Sequence, residues 1–183
     1  MIKKQVGNYN MRQIVKIICL AAAIVLGFAI FGSTYASGEE IWKLGCGNPK
    51  QTETCQIRQE LFLRQTVDGQ EKMIGRLLNL TVVYALEPGE KQRKPYLSIQ
   101  MPLGLDLRPG AVLKIDKSKE YNLKFLQCTK DGCDASIRLE PALLGDMKKG
   151  KKLQVGFRPW GTREITVVPA SLSGFTKAFG KIK

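Results

Sequence analysis

In several stretches between residues 56 and 168 the apolar side chains recur at every second position, in short runs separated by turn residues. This spacing constrains the fold more than any other feature, because residues two apart share one face of a strand whereas a helix aligns residues three and four apart. Ile57, Leu61 and Leu63 alternate with Arg58, Glu60 and Arg64. Val67-Asp68-Gly69-Gln70 then turns the chain, since Asp-Gly accepts the positive φ of a tight hairpin, and residues 73–86 run back. Further strands are expected at 96–101, 111–115, 121–128, 133–139, 153–157 and 165–168, with 121–128 pairing against 133–139. Residues 141–149 suit one or two helical turns, and Ser171 or Ser173 is placed to cap a last short helix through Phe179. About eight short strands separated by turn signals imply an all-β chain: an antiparallel β-sandwich of the immunoglobulin-like class with a short C-terminal helix.

Cys46, Cys55, Cys128 and Cys133 form an even set outside the N-terminal region and read as two disulfides. Three connectivities are available. Cys46–Cys55 and Cys128–Cys133 are favoured because each closes a short loop with turn chemistry inside it, Gly47-Asn48-Pro49 in one and Lys130-Asp131-Gly132 in the other. A four-cysteine zinc site is the rival, but neither pair has the two-residue spacing of a zinc knuckle.

The N-terminal region supplies a reason for oxidised cysteines. Lys3, Lys4, Arg12 and Lys16 precede an uncharged apolar run over 17–31, and small residues follow at Ser33, Thr34, Ala36, Ser37 and Gly38. A basic stretch, an apolar stretch and a small-residue cleavage zone make residues 1–36 a signal peptide, cleaved after Ala36, with residues 37–183 as the exported domain. The alternative is an uncleaved anchor that keeps the domain on the membrane, still outside the cytoplasm.

The chain has no histidine. Ser-His-Asp and Cys-His couples, histidine metal sites and histidine pH switches are therefore excluded. No serine of the exported domain has a lysine three residues later, and no Walker or dinucleotide loop is present. Asp106, Asp116, Glu120 and Glu140 are read as solvated or ion-paired carboxylates at strand ends, so the expectation is a protein that is not an enzyme and has no cofactor.

A net charge of +13 implies attraction to anionic partners. Lys148-Lys149-Gly150-Lys151-Lys152 is the densest basic cluster, and Lys114, Lys117, Lys119 and Lys124 form a second. Lys148, Lys149, Lys151 and Lys152 are the candidate anion-binding residues, the ligand being an anionic polymer of a host surface or of the envelope. The competing reading is a tight turn, with lysines that discourage edge-to-edge aggregation. Nucleic acid is not an expected partner, because the domain is exported and no aromatic-interleaved basic motif occurs. Trp42 and Trp160 are candidates either for exposed binding aromatics or for core and rim packing. Asn79-Leu80-Thr81 matches a glycosylation sequon by chance, inside an expected strand.

Several of these residues, taken in order, resemble a known family. Trp42 and the Cys46/Cys55 pair are followed by Pro102-Leu103-Gly104-Leu105-Asp106-Leu107, then Gly110 and Ile115-Asp116. Cys128-Thr129 through Gly132-Cys133-Asp134-Ala135 come next, and Pro169-Ala170-Ser171-Leu172-Ser173-Gly174-Phe175 closes the series. The pattern is similar to that of the invasion-associated locus B (IalB) proteins of alphaproteobacteria. The resemblance implies an exported, envelope-associated or secreted β-sandwich linked with bacterial invasion of host cells. It carries over no catalytic residue. Members also occur in bacteria with no invasive habit, and the lysine enrichment is a departure particular to this chain.

Overall fold

The computed structural model describes residues 40–48 and 54–182. The expected signal peptide, residues 1–36, lies outside the described residues. Within the described residues, ten strands and two helices follow in chain order: β1 (Lys43–Cys46), β2 (Cys55–Val67), β3 (Gln70–Ala85), β4 (Lys94–Met101), β5 (Ala111–Ile115), β6 (Glu120–Leu123), β7 (Phe125–Thr129), β8 (Gly132–Arg138), α1 (Pro141–Lys149), β9 (Lys152–Phe157), β10 (Thr166–Ser171) and α2 (Phe175–Phe179). The strands form two antiparallel sheets, one ordered β1-β2-β3-β4-β8-β7 and the other β10-β9-β5-β6.

Period-two patterning decides which face each strand buries. Ile57, Leu78, Leu80, Val82, Leu97 and Ile99 from the larger sheet share one core with Leu113, Leu153 and Val155 from the smaller. Each is sealed from solvent, and burial of an aliphatic side chain contributes about 1.5–3 kcal/mol. Trp42 belongs to this core, not to a binding surface. Its indole N–H donates to Ser171 O at 3.0 Å and its ring meets Phe175 edge-on at 5.2 Å.

Both disulfides join cross-strand partners, Cys46 to Cys55 between β1 and β2, and Cys128 to Cys133 between β7 and β8. With all four sulfurs so bonded, no thiolate among them is left for a zinc site. The second hairpin needs Gly132, which has φ 141° and brings the chain so close to β4 that a Cβ would lie 2.4 Å from Met101 O.

Two local expectations are corrected, and one strand is added. The expected strand 121–128 is two strands: β6 pairs with β5 in the smaller sheet, β7 with β8 in the larger, and exposed Lys124 lies between them. Tyr121, Leu123 and Phe125 keep the two-residue period across the crossing, so the pattern does not betray the change of sheet. The last helix has no side-chain cap; it starts after Gly174 at φ 76°, while Ser171 Oγ accepts the Ser173 N–H at 3.1 Å. The four-residue β1 is a strand the pattern does not predict, being too short to show a period.

β2 and β3 are joined by the expected turn, with Asp68 at φ 54° and Gly69 at φ 77°, the pair of positive angles a two-residue hairpin requires. Among the described residues, neighbouring strands flank only its base: β1 stops pairing at Arg58 and β4 starts at Asn79. Beyond that, the hairpin projects as a two-stranded ribbon, irregular in register at Leu61/Phe62 and Leu63/Arg64.

Candidate anion-binding site

The segment between α1 and β9 carries the expected lysines. Lys148 and Lys149 end α1, where positive charge suits the helix dipole, and Lys152 opens β9. All four lysines are exposed. Gly150 makes the reversal: its N–H donates to Asp146 O at 2.7 Å, and a Cβ there would lie 2.5 Å from Ile115 Cγ2. Only glycine allows the turn this close to the end of β5.

Asp116, just past β5, locks the turn in place. Its Oδ2 accepts the Lys151 N–H at 2.8 Å and its Oδ1 accepts the Lys152 N–H at 3.0 Å, while its own N–H donates to Lys152 O at 2.9 Å. The other side is tied as firmly: Leu172 N donates to Lys151 O at 2.9 Å, and Thr176 Oγ1 to Lys148 O at 3.0 Å. The backbone is therefore fixed while the ammonium groups stay at the surface. Lys148 Nζ rests 5.0 Å from the Phe179 ring centroid.

The same contact joins parts of the two lysine clusters. Lys117 directly follows Asp116, and Lys119 lies in the same turn with its Nζ 4.9 Å from the Tyr121 ring centroid. The other members of the second cluster stand apart. Lys114 is paired with Glu120 at 3.1 Å, and Lys124 lies at the change of sheet. Among the described residues Lys117, Lys148, Lys149, Lys151 and Lys152 have no ion-pair partner. Asp116, the carboxylate nearest the turn, is engaged by backbone donors. Exposed ammonium groups without a carboxylate partner create a positive potential, screened by salt over roughly 8–10 Å.

Two carboxylates have roles the sequence does not reveal. Asp116 is the clamp just described. Asp106, expected as a solvated or ion-paired carboxylate at a strand end, is ion-paired but buried: its carboxylate accepts Arg108 Nε at 2.8 Å and Nη2 at 2.8 Å, then Arg158 Nη2 at 2.7 Å and Nε at 3.1 Å. The Arg108 guanidinium holds the Asp106 carboxyl well below its ordinary range and Arg158 adds to this, against the upward push of burial. Loops 102–110 and 158–165 are thereby joined, with Leu105 bridged to Pro159. Arg108 also lies 5.5 Å from the ring of Trp160, which is 67% exposed. Of the two tryptophans, Trp160 alone is placed to bind. Glu140 is ion-paired to Arg138 at 2.9 Å, and Asn79 of the sequon is half-buried within β3.

Residues 42–183 match the family model described as Invasion associated locus B (IalB) protein. The chain is 31% identical over 163 residues to an invasion protein B homolog of Brucella abortus (strain 2308), covering 89% of this chain and 85% of that protein. The homolog of Brucella abortus biovar 1 (strain 9-941) matches to the same extent. The crystal structure of invasion associated protein B from Bartonella henselae superposes with a TM-score of 0.57 at 17% identity, covering 78% of this chain and 92% of that one. At that identity the likeness is one of fold.

Proposed function

The chain belongs to the invasion associated locus B family, and on that premise we propose that it is an exported, non-enzymatic binding protein whose basic end engages an anionic polymer at the host-cell surface. The observation that carries this reading is the Asp116 clamp, which holds the backbone of Lys151 and Lys152 still while, among the described residues, no carboxylate pairs with the lysines of the turn. With the backbone already held, meeting a sulfated or phosphorylated chain orders only the lysine side chains and not the turn itself. Export is supported by two disulfides, which persist in oxidising compartments, together with the basic, apolar and small-residue order of residues 1–36. An immunoglobulin-like sandwich is the architecture in which we place the two sheets. The association with invasion comes from the names of the Brucella and Bartonella relatives.

Heparin affinity chromatography tests the site. Replacing Lys148, Lys149, Lys151 and Lys152 together with Ser is expected to lower the salt concentration at which the protein elutes. Unchanged elution of a folded variant removes the cluster from consideration. A second reading, a structural protein of the periplasm that binds an anionic envelope polymer, uses the same lysines and is separated from the first by location alone.

A further inference from the structure

The ribbon formed by the outer parts of β2 and β3 exposes Phe62, Leu63, Met73 and Ile74, at 38%, 50%, 58% and 54%. An isolated two-stranded hairpin is marginally stable in water, and a long apolar edge is a template for another strand. Gly47 N donates to Thr54 O, so the backbone groups of Thr54 face β1. By the two-residue period those of Glu60, Phe62 and Arg64 face the same side, where β1 has already ended at Lys43 and no strand pairs with them among the described residues. A groove of about 400 Å³, lined in part by Gln59, Glu60, Phe62 and Arg64, runs along this edge.

We propose that the occupant of this edge is a second copy of the chain, its own β2 laid antiparallel about a two-fold axis at Phe62. The sequence matches itself in that register. Glu60 meets Arg64 of the second copy twice by symmetry, Phe62 meets Phe62, and Leu61 meets Leu63 on the opposite face. Gln59, 6% exposed with its Oε1 lacking a hydrogen-bond partner among the described residues, comes opposite Gln65 of the second copy, whose amide supplies a donor. The register also sets Glu60, Phe62 and Arg64 against residues whose N–H and C=O groups point toward them, as an antiparallel ladder requires. Charges that merely protect an edge have no reason to be opposite in sign and symmetric about one residue. The present partners, Glu60 with Arg76 at 3.6 Å and Arg64 with Glu71 at 3.3 Å, are exposed pairs of small net worth that rearrange readily. The result is an isologous dimer with one sheet continuous across both subunits.

Sedimentation equilibrium of the exported chain, purified in the form the cell processes it to, tests this directly. The wild type is expected to double its mass as concentration rises. Glu60→Arg and Arg64→Glu each place like charges opposite one another and are expected to be monomeric alone, with circular dichroism unchanged. Mixing the two variants sets a subunit that is basic at both positions against one that is acidic at both. Each charge then faces its opposite again, and the mixture is expected to regain the doubled mass. A wild type that stays monomeric at every concentration overturns the proposal. So does dimerisation of either folded variant alone as strong as wild type, or a mixture that does not associate.

Discussion

Asp116 Oδ2 accepts the backbone N–H of Lys151 at 2.8 Å across a sequence separation of 35 residues. This contact and its companion from Oδ1 to the Lys152 N–H fix the shape of the lysine turn and tie it to the segment that carries Lys117. The basic end of the molecule is therefore a product of tertiary structure more than of a run of lysines.

Replacement of Asp116 by Ala removes both acceptors and leaves a non-glycine residue at φ 45° with no side-chain compensation. Hydrogen bonds to a charged group are each worth about 1.5–3 kcal/mol when buried and less at the surface, so a loss of about 1–2 kcal/mol is expected. Asp116→Asn retains one acceptor oxygen and tolerates the left-handed backbone, and is expected to lose less. Urea unfolding of the two variants checks the order.

The Asp106 cluster gives stability a pH dependence of known sign. Its folded-state carboxyl is depressed below the ordinary value near 3.8, so the stabilisation is complete above that value and is lost as pH falls through the depressed one. Asp106→Asn is expected to be markedly less stable than wild type at neutral pH, with the gap narrowing in increasingly acidic solution. A gap that stays constant down through the carboxylate range would show that the charge of Asp106 contributes nothing.

Cys128 and Cys133 close a short loop, so their bridge restricts the unfolded chain only modestly. Changing both to Ser is expected to cost about 2–3 kcal/mol at most, measured by denaturant unfolding. Peptide mass mapping without reductant is expected to recover Cys46 with Cys55 and Cys128 with Cys133.

The parts of this fold that are legible in the sequence are those set by neighbours along the chain. Asp68-Gly69 dictates its hairpin, the alternation in residues 111–115 marks the bounds of β5, and the short loops point to both disulfide pairings. Residues 121–128 read as one strand because period two survives a change of sheet. Asp106 reads as a solvated or ion-paired carboxylate, and its burial is not legible because its second arginine lies 52 positions away, where no local pattern pairs it with Arg158. The candidate site is half visible: the lysines stand out, whereas the carboxylate that organises them looks like any turn aspartate.

On the proposed reading, the basic end of this protein lies outside the cell, against a host surface. Intact cells treated with an added protease, compared with osmotically shocked cells by immunoblot of the exported domain, test that placement most directly. Cleavage in intact cells is the predicted result. Protection in intact cells with cleavage only after shock would contradict it, putting the domain in the periplasm and its lysines on a polymer of the bacterium's own envelope.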